Sequence, residues 1–483
     1  MGIFSRRSTN SVNNKSPPNS QGNGILANGH ASRPFSKMVP QIPDIPLPKP
    51  PDPWQDPVAY LRSIHAVRER SKLVLEKAKR NQLKHFDVDM GKFAETASYV
   101  VSIIKRDYAA EGYDTIPPHG RWQHFEVGGR PRVDQLLATW PSTVDAQERC
   151  RRLIDLFLVS VLLDAGAGTQ WQYKSKENGK IYRRSEGLAV ASLEMFKVGM
   201  FSSNPNEPCQ VDSKGLRSID VATMAKGLQV SDTNPIAGLE GRTGLLMRLA
   251  DALENTKVFG EERRPGNMLN WLLEHPTTQV SSVPIILLPT FWNLLMDALG
   301  PIWPATRTSI DGQSLGDAWP LQILSSIHEW ESIVPFHKLT QWLCYSLMVP
   351  MQRLLNVHFA GAELMTGLPE YRNGGLLVDT GLLTLKEEDM QRGLEAYKAA
   401  MSGGMEVVPL FTTDDDVIIE WRAVTVGFLD ELLVEVNKQL NAKLTLAQML
   451  EAGTWKGGRE LAEVSRPNTK EPPIMIVSDG TVF

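Results

Sequence analysis

From Pro57 onward, apolar residues return every three or four positions through most of the chain, a period that commits it to packed amphipathic helices. PVAYLRSIHAVRERSKLVLEKA sets the pattern, with its charges on the opposite face. It recurs in KFAETASYVVSIIKRDY, QERCRRLIDLFLVSVLLD, GLAVASLEMFKVGMF, GRTGLLMRLADALENT and VSSVPIILLPTFWNLLMDAL. It returns in HKLTQWLCYSLMVPMQRLL and DDVIIEWRAVTVGFLDELLVEVNKQL. Thr445 and Gln448 stand three apart at the head of TLAQMLEA, the spacing of a capping box. Strand-like pieces are few and short, such as LLVDTGLLTL and PIMIVSDGTVF. No internal repeat is present. The expected fold is mainly α: one multi-helical globular domain over residues 54–483, with a few short strands.

Residues 1–53 are polar and rich in Ser, Asn and Gly, and they end in the proline run IPDIPLPKPPDP. Such a composition buries too little apolar surface to offset chain entropy, so a disordered tail with a semi-rigid, extended end is expected. A passive tail is expected, with a proline-rich ligand for another protein as the alternative. The start MGIFSR has Arg6 where a myristoylation signal needs Ser or Thr, so no lipid anchor is expected.

A net charge of −4 supplies no basic field for nucleic acid or an anionic membrane. The apolar run Leu153–Leu163 is too short to span a bilayer and contains Asp155, so it reads as a core helix. Cys150, Cys209 and Cys344 lie far apart without CxxC spacing, which suits reduced thiols inside a cell. A cytoplasmic protein is expected, with the nucleus as the other compartment. The histidines form no HxH or HExxH, so no metal site is expected, and P-loop, dinucleotide and GxSxG signatures are absent.

The segment from Val334 to Leu383 concentrates the candidate chemistry. LMTGLPEYRNGGLLVD reads as a loop holding Glu370, Tyr371, Arg372, Asn373 and Asp379. Gly367, Gly374 and Gly375 would give it positive φ and close backbone approach. Glu370 is either a catalytic carboxylate or half of an ion pair with Arg372 that clips a turn; the residues alone favour neither. Lys338, Gln341, Trp342 and Tyr345 share one helix face, and Lys338 either snorkels to solvent or meets an anion at the helix N-terminus. Arg183 and Arg184 precede Ser185, a candidate N-cap for a helix starting near Gly187 and a second candidate anion site. RWQHFEVGG offers Arg121, His124 and Glu126, and LLDAGAGTQWQY offers Asp164 and Trp171. Both suit a small polar ligand and equally suit a buried hydrogen-bonded corner.

Long motifs in these segments resemble the fungal and bacterial uracil-catabolism protein four family: LLDAGAG, RSEGLAVASLEMF, NPIAGLEGR, LGPIWP, LGDAW, VPFHKLTQWLCYSL and MTGLPEYRNGGLLVDTGLL. The resemblance runs from about Val58 to the C-terminus. It implies a place in a pyrimidine degradation route that opens the uracil ring while ribose is still attached, with a phosphorylated ribosylurea as the expected intermediate. A more distant resemblance is to the queuosine 5′-phosphate N-glycosylase/hydrolase family. Phe336, His337 and Lys338 match its Phe-aromatic-Lys motif, and Glu370, Tyr371 and Arg372 match its Asp-Tyr-Arg loop, with glutamate replacing the catalytic aspartate.

These resemblances imply a helical fold like that of DNA glycosylases and hydrolysis of an N-glycosidic bond. Glu370 would be the catalytic carboxylate, with Asp379 or Asp164 as helpers. Lys338 and Arg372 would hold the phosphate. Tyr371, His124 or Trp171 would bracket the urea or sugar, with Gln341 and Ser185 as further substrate contacts. No metal or organic cofactor is implied, and the partner is a small pyrimidine-derived ribosyl substrate. The rival expectation is a non-catalytic nucleotide-binding, regulatory or scaffold protein of the same route, holding pathway enzymes together with the N-terminal proline-rich tail as the docking strand. Glu370 and Lys338 in separate pockets would favour that rival.

Overall fold

The computed structural model describes residues 45–168, 170–279, 283–400 and 406–477. Most of the expected tail, including the MGIFSR start, lies outside them. Among the described residues are twenty α-helices and six sheets of two strands each. The protein is mainly α, because the sheets are too small to make a core and serve as clips between distant segments.

The first helical stretch breaks at Ser63 into Pro57–Arg62 and Ile64–Ala78. Asp56 caps the first piece and the Ser63 side chain accepts from Ala66 N–H to cap the second. The 25-residue helix Asp416–Leu440 runs through the interior and packs on Ile64–Ala78 and Phe93–Asp107. Gly427 allows that contact, since a Cβ there would sit 2.8 Å from Leu75. On the other side Ala146–Leu162 lies along Lys338–Leu355, and Arg184–Lys197 packs on Ala146–Leu162. Asp155 is buried in this layer as expected, held by Arg264 at 2.8 Å. Tyr371–Asp379 lies against Trp455–Ser465. One apolar cluster joins these helices except Pro57–Arg62, whose Val58, Tyr60 and Leu61 belong to a smaller cluster with Ile310, Leu315 and Ile333.

The clips bring remote sequence together. Phe86–Val88 pairs antiparallel with Leu383–Leu385, and Leu410–Thr412 pairs in parallel with Met475–Val477. Ala318–Pro320 pairs antiparallel with Ile333–Pro335, which sets Asp317 beside the start of the Lys338 helix. From the proline run, Ile45 and Leu47 pack on Ile285, Leu287 and Ala360.

Two local expectations are corrected. LLVDTGLLTL is not one strand: its first four residues finish the helix Tyr371–Asp379, and only Leu383–Leu385 is extended. In the same region Gly367, Gly374 and Gly375 do not adopt positive φ. They are small because neighbours press on them. A Cβ on Gly374 would lie 2.7 Å from the Trp421 ring, one on Gly375 3.0 Å from Pro473, and one on Gly367 would strike Leu429. The capping box forms at Thr445 and Gln448 as expected. No helix among the described residues is long and apolar enough to cross a membrane.

Candidate functional site

A cavity of about 370 Å³ opens where the N-terminal ends of Arg184–Lys197, Lys338–Leu355 and Tyr371–Asp379 converge. The small-residue turn Asp164–Gly168, Trp455 and the C-terminal segment from Glu471 to Val477 complete its walls. Glu370, Asp164, Lys338, Tyr371, His124 and Ser185 all line it. Lys338 and Glu370 therefore share one space.

Glu370 is the N-cap of its helix. Its Oε1 accepts the Asn373 N–H at 2.6 Å and its Oε2 accepts the Arg372 N–H at 2.8 Å. Two amides that the helix cannot satisfy internally thus hold both carboxylate oxygens. Glu370 is only 8% exposed. Burial pushes its pKa up to about 7, against the Asn373 amide and the Lys338 charge, which favour the anion. The Arg372 guanidinium is turned away, donating to the Lys470 carbonyl at 3.3 Å and lying over the Tyr371 ring. The cap, rather than a Glu370–Arg372 ion pair, shapes this turn.

Lys338 begins its helix directly after His337, whose backbone is left-handed. The Lys338 N–H donates to Asp317 Oδ2 at 3.0 Å. Asp317 is gripped by both guanidinium nitrogens of Arg422 at 2.8 Å each and by Trp319 Nε1 at 2.7 Å, which holds its carboxyl well below the usual range. The LGDAW motif thus positions Lys338, a role that its sequence did not announce. Burial lowers the Lys338 pKa while the neighbouring Glu370 and Asp164 carboxylates raise it. The helix face predicted from spacing divides in two. Lys338 and Trp342 look into the cavity. Gln341 and Tyr345 bond Thr366 at 3.0 Å each, anchoring the chain that leads to Glu370.

A fully buried Arg121 organises the opposite wall. It donates to Asp164 Oδ2 at 2.7 Å, to His124 Nδ1 at 3.2 Å, to Ser160 and to the Ser185 carbonyl. Guanidinium groups only donate, so His124 Nδ1 accepts and its Nε2 carries the proton. Burial, reinforced by Arg121, pushes the His124 pKa well down, so this ring is neutral. Arg242, from the NPIAGLEGR motif, donates to the carbonyls of Leu163, Ala165 and Gly166 and so pins the turn carrying Asp164.

Rings of His119, His124, Trp342 and Trp455 pack against one another, with centroids 4.7–6.0 Å apart. His119 and Trp455 had no signal in the sequence, since a lone histidine and a lone tryptophan in separate helical regions look like core. Glu471, paired with Arg184 at 2.9 Å, was also missed.

Four predicted residues lie outside the cavity. Asp379 is clamped by Arg466 at 2.9 and 2.5 Å. Trp171 donates to the Leu228 carbonyl at 2.9 Å, and its ring presses on Gly187. Gln341 is spent on Thr366, and Arg372 on Lys470. Ser185 does line the cavity but is not a cap: its helix starts at Arg184, and Ser185 sits inside the first turn. Among the described residues no three His, Cys, Asp or Glu side chains gather as a metal-binding group.

Residues 60–483 match the family described as protein of unknown function (DUF1688). The chain is 45% identical over 438 residues to uracil catabolism protein 4 of Lachancea kluyveri, across 89% of this chain and 99% of that protein. It is 46% identical over 431 residues to Protein urg3 of Schizosaccharomyces pombe, across 88% of this chain and 99% of that protein. The family match spans every element that builds the cavity, and the chain belongs to the DUF1688 family and is a relative of these two fungal proteins.

Proposed function

We propose that this protein acts in uracil catabolism as an N-glycosyl hydrolase, splitting the C1′–N bond of a ribosylurea 5′-phosphate into urea and ribose 5-phosphate. Its kinship with a relative named for uracil catabolism supports the pathway. The observation that carries the chemistry is Glu370, a buried carboxyl held by two amides, with a pKa of about 7, facing the same cavity as Lys338.

Cleavage of such a bond builds positive charge on the sugar. A carboxylate as buried as Glu370 stabilises that charge far better than one in bulk water. Because Glu370 titrates near neutrality, it is poised to accept a proton from water. The water oxygen bonds C1′ while the C1′–N electron pair leaves with the urea nitrogen. The proton taken by Glu370 then passes to that nitrogen, giving neutral urea and restoring the carboxylate. Lys338 supplies a cation for the phosphate, and the N-terminal end of the Arg184–Lys197 helix, whose N-cap Arg183 makes no side-chain cap, lines the same cavity through Arg184 and Ser185. Arg372 has no part in this, since its guanidinium is engaged with Lys470.

The test is to incubate purified protein with ribosylurea, with and without the 5′-phosphate, and to assay urea. Release that depends on Glu370 supports the reading. No urea from either compound ends it.

A further inference from the structure

Polar atoms buried in proteins are nearly always paired, and those that are not call for an explanation. Three side chains lining the cavity each carry one such atom without a hydrogen-bond partner: Asp164 Oδ1, His124 Nε2 and Trp342 Nε1. Their chemistry is defined. Trp342 Nε1 can only donate. His124 Nε2 donates, because Arg121 occupies Nδ1 as a donor. Asp164 Oδ1 is an acceptor, because the carboxylate's other oxygen is tied to Arg121 at 2.7 Å. The residues lining the cavity therefore carry two donors and one acceptor that no described protein group satisfies.

The shape around them is equally specific. The Trp342 and His124 rings lie 5.3 Å apart, and the Trp455 ring stands 5.3 Å from His124. Rings with N–H groups at their edges offer apolar surface and fixed polar contacts together, which suits a small planar conjugated group.

We propose that Trp342, His124 and Asp164 form a subsite that reads the ureide group of the substrate. The ureide carbonyl oxygen has two lone pairs and takes the Trp342 and His124 N–H groups. The N–H next to that carbonyl donates to Asp164 Oδ1. Arg121 is the positioning residue, since it fixes the His124 tautomer and one Asp164 oxygen together. The same contacts serve departure of the leaving group, because hydrogen bonds to the carbonyl draw electron density from the nitrogen that leaves C1′. This assignment rests on the hydrolase reading for the identity of the ligand, and it adds which residues distinguish a ureide from the sugar.

Binding rather than turnover decides it. The full-length protein carrying Glu370→Gln, to suppress hydrolysis, is titrated calorimetrically with ribosylurea 5-phosphate and with ribose 5-phosphate. Trp342→Phe keeps an aromatic face but loses the five-membered half of the indole with its N–H. Both ligands would feel that loss of packing, so the difference between the two ligands is what is read. The variant is expected to weaken ribosylurea 5-phosphate on the order of tenfold, the worth of one hydrogen bond, and to leave ribose 5-phosphate within about twofold. Asp164→Asn is expected to follow the same pattern. If it unfolds through loss of the Arg121 pair, Trp342→Phe decides alone. Equal losses for both ligands would mean that these residues hold the sugar, and would overturn the proposal. So would an unaltered affinity for ribosylurea 5-phosphate, or a parent protein that binds it no tighter than ribose 5-phosphate. Urea release by the native enzyme is scored separately, so turnover combined with unchanged selectivity sinks the subsite and leaves the hydrolase reading standing.

Discussion

Glu370 and Lys338 meet across one cavity from the N-terminal ends of two different helices, and each biases the other's proton equilibrium. Burial disfavours both charges, while their mutual attraction restores part of each. An acid that ionises near neutrality is the outcome.

That outcome has a pH signature. With a Glu370 pKa of about 7, kcat/KM should fall roughly tenfold per unit below that value as the base is protonated, and level off above it. A profile measured from pH 5.5 to 8.5 with no inflection would exclude Glu370 as the titrating base.

The cap and the catalytic role of Glu370 can be separated. Aspartate is a good N-cap, so Glu370→Asp should leave the melting temperature nearly unchanged. It withdraws the carboxylate by one methylene, a displacement expected to cost on the order of 10²-fold in turnover. Steady-state rates beside a thermal melt test this, and full activity in the aspartate variant would refute the assigned geometry.

Gly374 sits mid-helix, where alanine is normally favourable by about 1 kcal/mol. Here a Cβ would meet the buried Trp421 ring at 2.7 Å, and overpacking of that kind costs about 1–3 kcal/mol. Gly374→Ala should therefore be destabilising by up to about 2 kcal/mol, read as a lower urea midpoint at constant slope. A stabilised variant would contradict the close-approach reading.

Asp317→Ala removes the carboxylate that both Arg422 nitrogens grip in the interior. Breaking one side of a buried pair costs about 3–5 kcal/mol. It also strips the acceptor from the Lys338 N–H, so any folded enzyme should show a raised KM for the phosphorylated substrate. Chemical denaturation and substrate titration measure the two effects.

His85 is a structural titrating group away from the cavity. Burial opposes its charge, but hydrogen bonds to Asp416 at 2.8 Å and Asp389 at 2.7 Å outweigh that and raise its pKa. A raised folded-state pKa stabilises fully below the unfolded value of about 6.5 and loses that contribution as pH rises through the folded value. The stability gap between the native protein and His85→Gln should thus shrink from pH 6 to pH 9. A gap that grows over that range would reverse the sign and discard the ion-pair account.

Helical periodicity along the chain was enough to specify a mainly α protein, because each amphipathic face must be buried whatever covers it. The capping box at Thr445 and the buried Asp155 helix were legible for the same local reason. Resemblance of whole motifs pointed to Glu370, Lys338 and Asp164, and the fold gathers all three. What the chain alone could not show was which polar residues already have partners. In the sequence nothing separates Asp379 from Asp164, whereas in the fold Arg466, 87 residues from Asp379, clamps both of its oxygens. His119, Trp455 and the LGDAW aspartate gained meaning only when separate helices and a two-stranded clip brought them together. Periodicity and caps are decided within a few residues of chain, whereas a cavity is made by contacts hundreds of residues apart, and those exist only in the packed tertiary structure.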